Sequence, residues 1–258
     1  MKYDLRNKAV VLTGGSRGIG REVASRLAQQ GARLAIAARN EAKLAETKKI
    51  VEAAGASVVP IACDVTDDSS VNDMVANAAE SLGGIDVFMN IAGITLEKSI
   101  EDAEPEDYRR LLETNFLGAV RCTRAALPHL KKSRGVLVNI ASIIVHAPFP
   151  RLGVYACSKW ALAAYSHTLR QELFGSGVRV LTVYPTIVQT DMVTEEPVLA
   201  KSPAQTPEQC ADAIVKAIKK GKYETGTAYL PKLLSAIFAI HPPWADRINR
   251  LFLPRVGK

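Results

Sequence analysis

The chain has 258 residues, 48% of them hydrophobic and 23% charged, a globular composition with enough apolar residues for a sizeable core. It has no signal-peptide pattern and no apolar run of the roughly 18 to 20 residues that a spanning helix needs, so we expect a cytoplasmic protein. Its four cysteines have no CxxC spacing and no histidine cluster beside them. We therefore expect reduced thiols, no disulfide framework and no metal site. The net charge of +7 suits anionic partners, namely phosphorylated cofactors, acidic carrier proteins, anionic lipids or nucleic acid, without choosing among them.

Short β-like runs alternate with longer helix-like segments until the last thirty residues. The predicted strands cover residues 8–13, 33–38, 57–62, 85–89, 135–140 and 178–183. One predicted helix follows the first strand, and two more cover residues 41–53 and 71–82. A fourth begins at Pro105 and includes Asn115, and a fifth covers about residues 154–174. This alternation predicts a mostly parallel sheet with helices on both faces. No linker or repeat divides the pattern, so residues 1–258 are predicted to form one α/β domain.

The first predicted strand runs directly into a glycine-rich turn, and a helix follows. Residues 10–20 read VVLTGGSRGIG. Glycines here let the backbone turn sharply and approach a pyrophosphate, and the first N–H groups of the helix are free to bind phosphate. The alternative is an ordinary strand-to-helix connection. The place of the turn at the start of a strand–helix–strand pattern favours a dinucleotide site.

The residues after the second predicted strand indicate which dinucleotide is bound. NAD sites usually carry an acidic residue there, which binds the ribose hydroxyl of the adenosine. Residues 37–40 read AARN and contain no carboxylate. Arg39 is instead suited to a 2′-phosphate, and Arg17 in the glycine-rich turn offers a second guanidinium. Unless both arginines are simply surface charge, the pattern favours NADP(H).

A tyrosine and a lysine, Tyr155 and Lys159, stand four residues apart in the predicted helix 154–174. The spacing puts them on one helical face, where the ammonium and an oxidised nicotinamide would lower the pKa of the tyrosine; the alternative is a solvated face. Ser142 follows a predicted strand, so its hydroxyl is expected where open α/β sheets bind ligands. Asn115 is a candidate anchor for a water that links Lys159 to solvent, unless it only caps or kinks its helix.

These motifs, in this order, resemble the short-chain dehydrogenase/reductase family over about residues 5 to 225. The TGxxxGxG turn, the Tyr-x-x-x-Lys pair and a serine thirteen positions before the tyrosine are specific in combination. The resemblance implies a Rossmann fold, a doubly wound parallel sheet of about seven strands in the order 3-2-1-4-5-6-7. It implies Tyr155 as the proton donor or acceptor and Ser142 as the residue that holds the substrate oxygen. Lys159 would bind the nicotinamide ribose and tune Tyr155, and Asn115 would serve the proton relay.

The resemblance also implies contacts with the cofactor. One pair of residues would contact the adenine, an Asn-x-Ala-Gly segment would line the cleft, and residues 185–190 resemble the segment beside the nicotinamide. Together with the glycine-rich turn, the predicted NADP(H)-binding residues are Gly14, Ser16, Arg17, Gly18, Ile19, Gly20, Arg39, Asn40, Asp64, Val65, Asn90, Ala92, Gly93, Tyr155, Lys159, Pro185, Val188 and Thr190.

Three features depart from the family pattern. Ile91 replaces a second asparagine that normally ties neighbouring strands, so we expect different strand bonding there. Thr186 replaces a glycine, which is expected to shift the backbone at the nicotinamide. The chain also continues through an apolar, basic extension, residues 229–258, whereas the family's reductases of fatty-acid synthesis usually end after a short glycine-rich strand.

Two segments bear on the substrate. Residues 190–207 are predicted to form a substrate loop that closes over the pocket, and His146, Phe149 and Leu152 are candidates for its lining or for loop packing. The extension 229–258 has three open interpretations: helices packed on the core or at a subunit interface, a lid over an apolar pocket, or a basic amphipathic anchor on an anionic membrane.

The sequence therefore predicts an NADP(H)-dependent oxidoreductase that acts on a carbonyl or alcohol, with an apolar ketone or keto-lipid as the favoured substrate. Reduction of a 3-oxoacyl group on a carrier and a non-catalytic NADP(H) sensor are the alternatives. No basic run is interleaved with aromatic residues, so nucleic acid is not an expected partner. The family resemblance implies a homodimer or homotetramer, and the extension allows peripheral membrane contact.

Overall fold

The computed structural model describes residues 3–146, 149–197 and 199–227. The predicted extension, residues 229–258, lies outside the described residues, and so does position 198 of the substrate loop. The described residues contain a seven-stranded parallel sheet in the order β3-β2-β1-β4-β5-β6-β7. The strands are β1 (Ala9–Thr13), β2 (Arg33–Ala38), β3 (Val58–Ala62), β4 (Val87–Asn90), β5 (Val136–Ile140), β6 (Arg179–Tyr184) and β7 (Glu224–Gly226). The order and the flanking helices confirm the predicted Rossmann fold.

Helices connect the strands on both faces of the sheet. They are α1 (Gly18–Gln29), α2 (Glu41–Ala53), α3 (Asp68–Leu82), α4 (Pro105–Leu112), α5 (Gly118–Ser133), α6 (Gly153–Glu172), α7 (Asp191–Thr194) and α8 (Pro207–Lys219). Their ends follow capping rules: Asp67 accepts the N–H of Ser70 before α3, and α3 stops at Gly83, whose φ is +70°. A Thr206–Gln209 capping box with Pro207 at the first position starts α8, which the sequence prediction did not include.

Hydrophobic residues of the sheet divide between two cores because successive side chains point to opposite faces. In β1, Val10 and Leu12 pack in the core that contains α1, α2 and α8. Val11, between them, packs in the core that contains α3, α5 and one end of α6. Each of the five residues of β1 is buried, as expected for a central parallel strand covered on both faces.

The predicted long helix that begins at Pro105 is interrupted. It leaves the α-helical path after Leu112, passes through a π-helical turn at Glu113–Leu117, and resumes as α5. The turn places Asn115 in the protein interior, where its side chain bonds the backbone of Ile94. The predicted long helix is present, but the sequence did not show the π-helical turn within it, because the bond to Ile94 joins residues 21 positions apart. Such turns often mark functional sites.

The order of the strands fixes the place of a ligand cleft. The chain reverses direction across the sheet between β1 and β4, and ligands of doubly wound folds bind beyond the carboxyl ends of the strands at such a switch point. The predicted substrate loop leaves the same edge after β6. Its two ends are held together by a parallel bridge between Val188 and Gln205. Among the described helices, none is long and apolar enough to cross a membrane.

Candidate active site

The glycine-rich turn between β1 and α1 is packed so closely that only glycine fits at several positions. Gly14 has φ +71°, and a Cβ placed on it would lie 2.8 Å from the backbone nitrogen of Ala92. A Cβ on Gly20 would lie 2.1 Å from the carbonyl oxygen of Gly14. No side chain caps the start of α1, so its first N–H groups face the cleft without a side-chain partner.

A cavity of about 460 Å³ runs from this turn across the carboxyl edge of the sheet. Most of the predicted site residues line it, which brings together positions spread over some 175 residues of sequence. The predicted residues in its wall are Gly14, Ser16, Arg17, Gly18, Ile19, Gly20, Arg39, Asn40, Asp64, Val65, Ala92, Gly93, Ser142, Tyr155, Lys159, Pro185, Val188 and Thr190. Asn90 and Asn115 do not line it and lie in the protein behind its wall.

At one end of the cavity, the residues after β2 offer positive charge. Arg39 is exposed there and has no ion pair with any residue that the structure describes. The Asn40 side chain is used locally, since it accepts the N–H of Lys43 and caps α2. The ammonium-bearing side chain of Lys43 also lines the cavity, and sequence reasoning missed it. The sequence signal that could have identified Lys43 is its place in the first turn of a helix capped by Asn40, directly after the second strand.

Asp64 also lines the cavity and interacts electrostatically with Arg39. Although burial opposes the shift, hydrogen bonds from Thr66 and the charge of Arg39 hold the pKa of Asp64 below its usual value. The carboxyl is therefore ionised at neutral pH. Because its Oδ1 accepts both the N–H and the hydroxyl of Thr66, Asp64 is fixed in place.

Asn90 ties the central strands together. Its amide nitrogen donates to Oδ1 of Asn139 on β5 at 2.8 Å and to the hydroxyl of Thr123 on α5 at 3.1 Å. The next residue, Ile91, has no polar side chain, and its backbone N–H binds the Thr13 hydroxyl on β1. In this chain the side-chain tie between the strands is thus made by Asn90. The backbone N–H of Thr186 binds the Thr227 hydroxyl, so this position links β6 to the residues after β7.

Tyr155, Lys159 and Ser142 meet in the middle of the cavity. Tyr155 and Lys159 lie on the first turns of α6, with the lysine Nζ 5.7 Å from the centre of the tyrosine ring. The Lys159 side chain is buried, and its Nζ donates to the carbonyl oxygen of Ile140 at 2.9 Å. Ser142 follows β5, and its hydroxyl accepts the N–H of Ile144 at the start of a short 3₁₀ turn.

Burial shifts both titrating groups toward their neutral forms. It raises the pKa of Tyr155 to about 12, although a hydrogen bond with Ser142 opposes the rise. Burial also lowers the pKa of Lys159 to about 8, so the ammonium persists at pH 7. In the protein alone the group that opposes the effect of burial on Tyr155 is Ser142, and the pKa decrease that we expected Lys159 to cause is not among the causes of the shift. At neutral pH the pair therefore consists of a phenol and an ammonium.

Asn115 is held away from the cavity by three hydrogen bonds. Its Oδ1 accepts the N–H of Ile94, and its amide nitrogen donates to the Ile94 carbonyl and to the Ser158 hydroxyl. The side chain thus fixes the loop after β4 against α6. A Cβ placed on Gly93 would lie 3.1 Å from the Asn115 Oδ1 and 3.6 Å from the Lys159 Nζ, so both residues pack against that glycine.

Many of the other side chains that line the cavity are apolar. Phe149 and Leu152 line it as expected, whereas His146 does not, because its ring packs edge-on against Tyr184 at 4.6 Å. The other apolar side chains here come from the 3₁₀ turn, from the residues after β6 and from the substrate loop. They are Ile143, Ile144, Ile187, Met192, Val193 and Leu199.

Comparison with known proteins places this site in a family. A family model described as short chain dehydrogenase matches residues 8–198. The chain belongs to the short-chain dehydrogenase family. A ketoacyl reductase, HetN, of a Nostoc species is 36% identical, with 96% of this chain and 90% of that protein covered. A fatty acyl-CoA reductase of Acinetobacter baylyi is 32% identical, with 93% and 82% covered, and an uncharacterised oxidoreductase of Mycobacterium bovis is 30% identical, with 98% and 73% covered.

Members of this family are oxidoreductases that bind a nicotinamide cofactor, NAD or NADP. The residues of this chain fit such a group. The close packing at Gly14 and Gly20 leaves no side chain over the turn, and the start of α1 has no capping side chain to compete with a phosphate. The residues of the turn and Tyr155 line the same cavity, so one ligand can reach from the phosphate-binding turn to the tyrosine.

Proposed function

We propose that this chain is an NADP(H)-dependent reductase that converts an apolar ketone or keto-lipid into the alcohol. The observation that carries the proposal is one continuous cavity whose wall contains Tyr155 and Lys159, three cations near the glycine-rich turn, and many apolar side chains. The cofactor, when bound, supplies the hydride. The contribution of the chain is to bind the two ligands, to polarise the carbonyl and to deliver a proton.

Tyr155 is the proton donor in this proposal. With a pKa near 12 it holds its phenolic proton throughout the physiological range and can transfer it to the carbonyl oxygen as that oxygen becomes negative. Ser142, hydrogen-bonded to Tyr155, holds the same oxygen in place. Lys159 retains N–H donors beyond the one used by Ile140, and its charge stabilises the phenolate that remains. Asn115 acts as a positioning residue through Ile94 and Ser158.

NADP(H) is favoured by the charges at the adenosine end. Arg39, Arg17 and Lys43 provide three cations in the cavity wall, and no acidic residue ends β2. A ribose hydroxyl would leave the charge of Arg39 unused, whereas a 2′-phosphate forms charge-assisted hydrogen bonds with it. Arg39, which has no ion pair among the described residues, is the first candidate for that contact.

The substrate class follows from the other end. Phe149, Leu152, Met192 and Leu199 offer no charged group, so a hydrocarbon chain is a better match than a sugar or an acid. The names of the two relatives, ketoacyl reductase and fatty acyl-CoA reductase, also concern acyl chains. They favour a second candidate function, the reduction of a 3-oxoacyl thioester.

A panel of carbonyl substrates tests the proposed reaction. NADPH absorbance is followed with short polar ketones, long-chain apolar ketones, 3-oxoacyl thioesters and fatty acyl-CoA. We expect kcat/KM to rise with chain length and to be highest for the long-chain ketones. A maximum for 3-oxoacyl thioesters would favour the second candidate, turnover limited to short polar ketones would contradict the apolar substrate, and no turnover at all would contradict the reductase.

Arg39→Ala tests the cofactor preference. Loss of a charge-assisted contact is worth about 1.5–3 kcal/mol, so we expect the Kd of NADPH to rise roughly 10- to 100-fold. The Kd of NADH should stay within about 2-fold. Fluorescence titration of both cofactors gives the two values. Arg109→Ala is the matched control, because Arg109 is exposed on α4 and does not line the cavity. Equal losses for NADPH and NADH would contradict a phosphate contact.

A further inference from the structure

The first residue of α7 connects the substrate loop to the adenosine end of the cavity. The carboxylate of Asp191 lies 3.2 Å from the guanidinium of Arg17 and 3.9 Å from the ammonium of Lys43. Glu195, one turn later, lies 4.0 Å from the same guanidinium. An anionic patch of the substrate loop therefore sits on two of the three cations at this end.

The third cation, Arg39, is not paired with any described residue of the substrate loop. Arg39 is exposed beside the cavity and has no ion pair within the described ranges. Arg17 and Lys43 come from different elements, the glycine-rich turn and α2, yet one carboxylate reaches both. Because the Asp191 carboxylate lies between these two cations, it occupies the position in which another anion would bind them.

We propose that Asp191 is a specificity-determining residue that competes with the 2′-phosphate of NADP(H) for Arg17 and Lys43. The proposal rests on the NADP(H) preference proposed above. A phosphate monoester carries about −1.5 to −2 charges at pH 7 and three acceptor oxygens, against the single charge of a carboxylate. The phosphate displaces Asp191, but its affinity is reduced by the pairs that it must replace. NADH has no such phosphate and does not compete.

The backbone keeps this carboxylate in position. Thr190 packs on the glycine-rich turn: its Cγ2 would lie 2.9 Å from a Cβ placed on Gly18. The bridge between Val188 and Gln205 holds the loop close behind it. Because the neighbouring residues are anchored, Asp191 stays at a high effective concentration beside Arg17, and a half-exposed pair becomes a significant competitor.

Asp191→Asn tests the competition. Removing one carboxylate from a half-exposed pair has a modest effect, and we expect the Kd of NADPH to fall about 2- to 5-fold. The Kd of NADH should change by less than about 2-fold. Both are measured by isothermal titration at low salt and again at about 0.5 M NaCl, where screening should remove most of the gain.

Two further variants make the result specific. Asp212→Asn removes an equally exposed carboxylate, which pairs with Arg26 on α1 and does not line the cavity, so it should leave both Kd values unchanged. In a Lys43→Gln background, Asp191→Asn should give a smaller gain, because one of the cations is already absent.

The outcomes separate the two proposals. An equal gain for NADPH and NADH would show a general charge effect and overturn the competition. An unchanged Kd of NADPH in Asp191→Asn, while the unsubstituted protein prefers NADPH over NADH, would overturn the competition and leave the cofactor proposal standing. An unsubstituted protein that binds both cofactors equally would overturn both.

Discussion

Tyr155→Phe is expected to lower kcat for ketone reduction by about 1000-fold or more. Positioned general acids contribute roughly 10²- to 10⁴-fold, and the Tyr155 phenol lines the cavity with a hydrogen bond to the Ser142 hydroxyl. Phenylalanine keeps the ring and its packing, so the Kd of NADPH should change by less than about 3-fold. Steady-state absorbance gives kcat, and fluorescence titration gives the Kd.

Tyr165→Phe is the matched control for that variant. Tyr165 lies on the same helix, α6, with its ring edge-on to Phe116 and its hydroxyl bonded to Thr123, and it does not line the cavity. It should retain kcat. A Tyr155→Phe protein with kcat near that of the control would show that the proton comes from another group. A loss of NADPH binding equal to the loss of kcat would indicate a disrupted cleft and not a missing acid.

The sequence predicted well those parts of the fold that depend on local pattern. The strand at Arg33–Ala38 and the helix at Glu41–Ala53 have the predicted bounds, because a buried apolar run and an asparagine cap specify them within a few residues. The seventh strand, Glu224–Gly226, was expected only from the family resemblance, since three residues carry too little periodicity to be recognised.

The parts that were not predicted depend on contacts between distant residues. The π-helical turn at Asn115 follows from bonds to Ile94, and its sequence, ETNFL, fits an ordinary α-helix equally well. Lys43 and Asp191 are 148 positions apart, so no local pattern shows that the two meet beside Arg17. His146 was a candidate for the pocket lining, and only the position of Tyr184 at the end of β6 shows that it packs elsewhere.

Packing between the glycine-rich turn and α1 also determines the expected effect of Gly20→Ala on NADPH binding and on stability. In a helix, alanine is favoured over glycine by about 1 kcal/mol, so propensity alone predicts a more stable protein. The Cβ, however, would lie 2.1 Å from the Gly14 carbonyl oxygen and 3.2 Å from the Cα of Gly15. These are backbone atoms, which cannot rotate away. The start of α1 must therefore move off the turn, and the N–H groups that face the cleft move with it.

We expect Gly20→Ala to weaken NADPH binding by at least about 100-fold, because the phosphate-binding turn loses its geometry. Overpacking should also lower the free energy of unfolding by about 1–3 kcal/mol. Fluorescence titration measures the first effect and urea unfolding the second.

Gly175→Ala separates the binding effect from the loss of stability. Gly175 has φ +83° and no atom within 4 Å of a Cβ placed on it, so alanine there is strained by about 1–2 kcal/mol without a collision. That variant should lose stability and bind NADPH normally. If Gly20→Ala also bound NADPH normally, the turn would tolerate a shift of α1, and its close packing would not be what shapes the phosphate site. Loss of binding in Gly20→Ala alone would show that the backbone contact between turn and helix is part of the cofactor site itself.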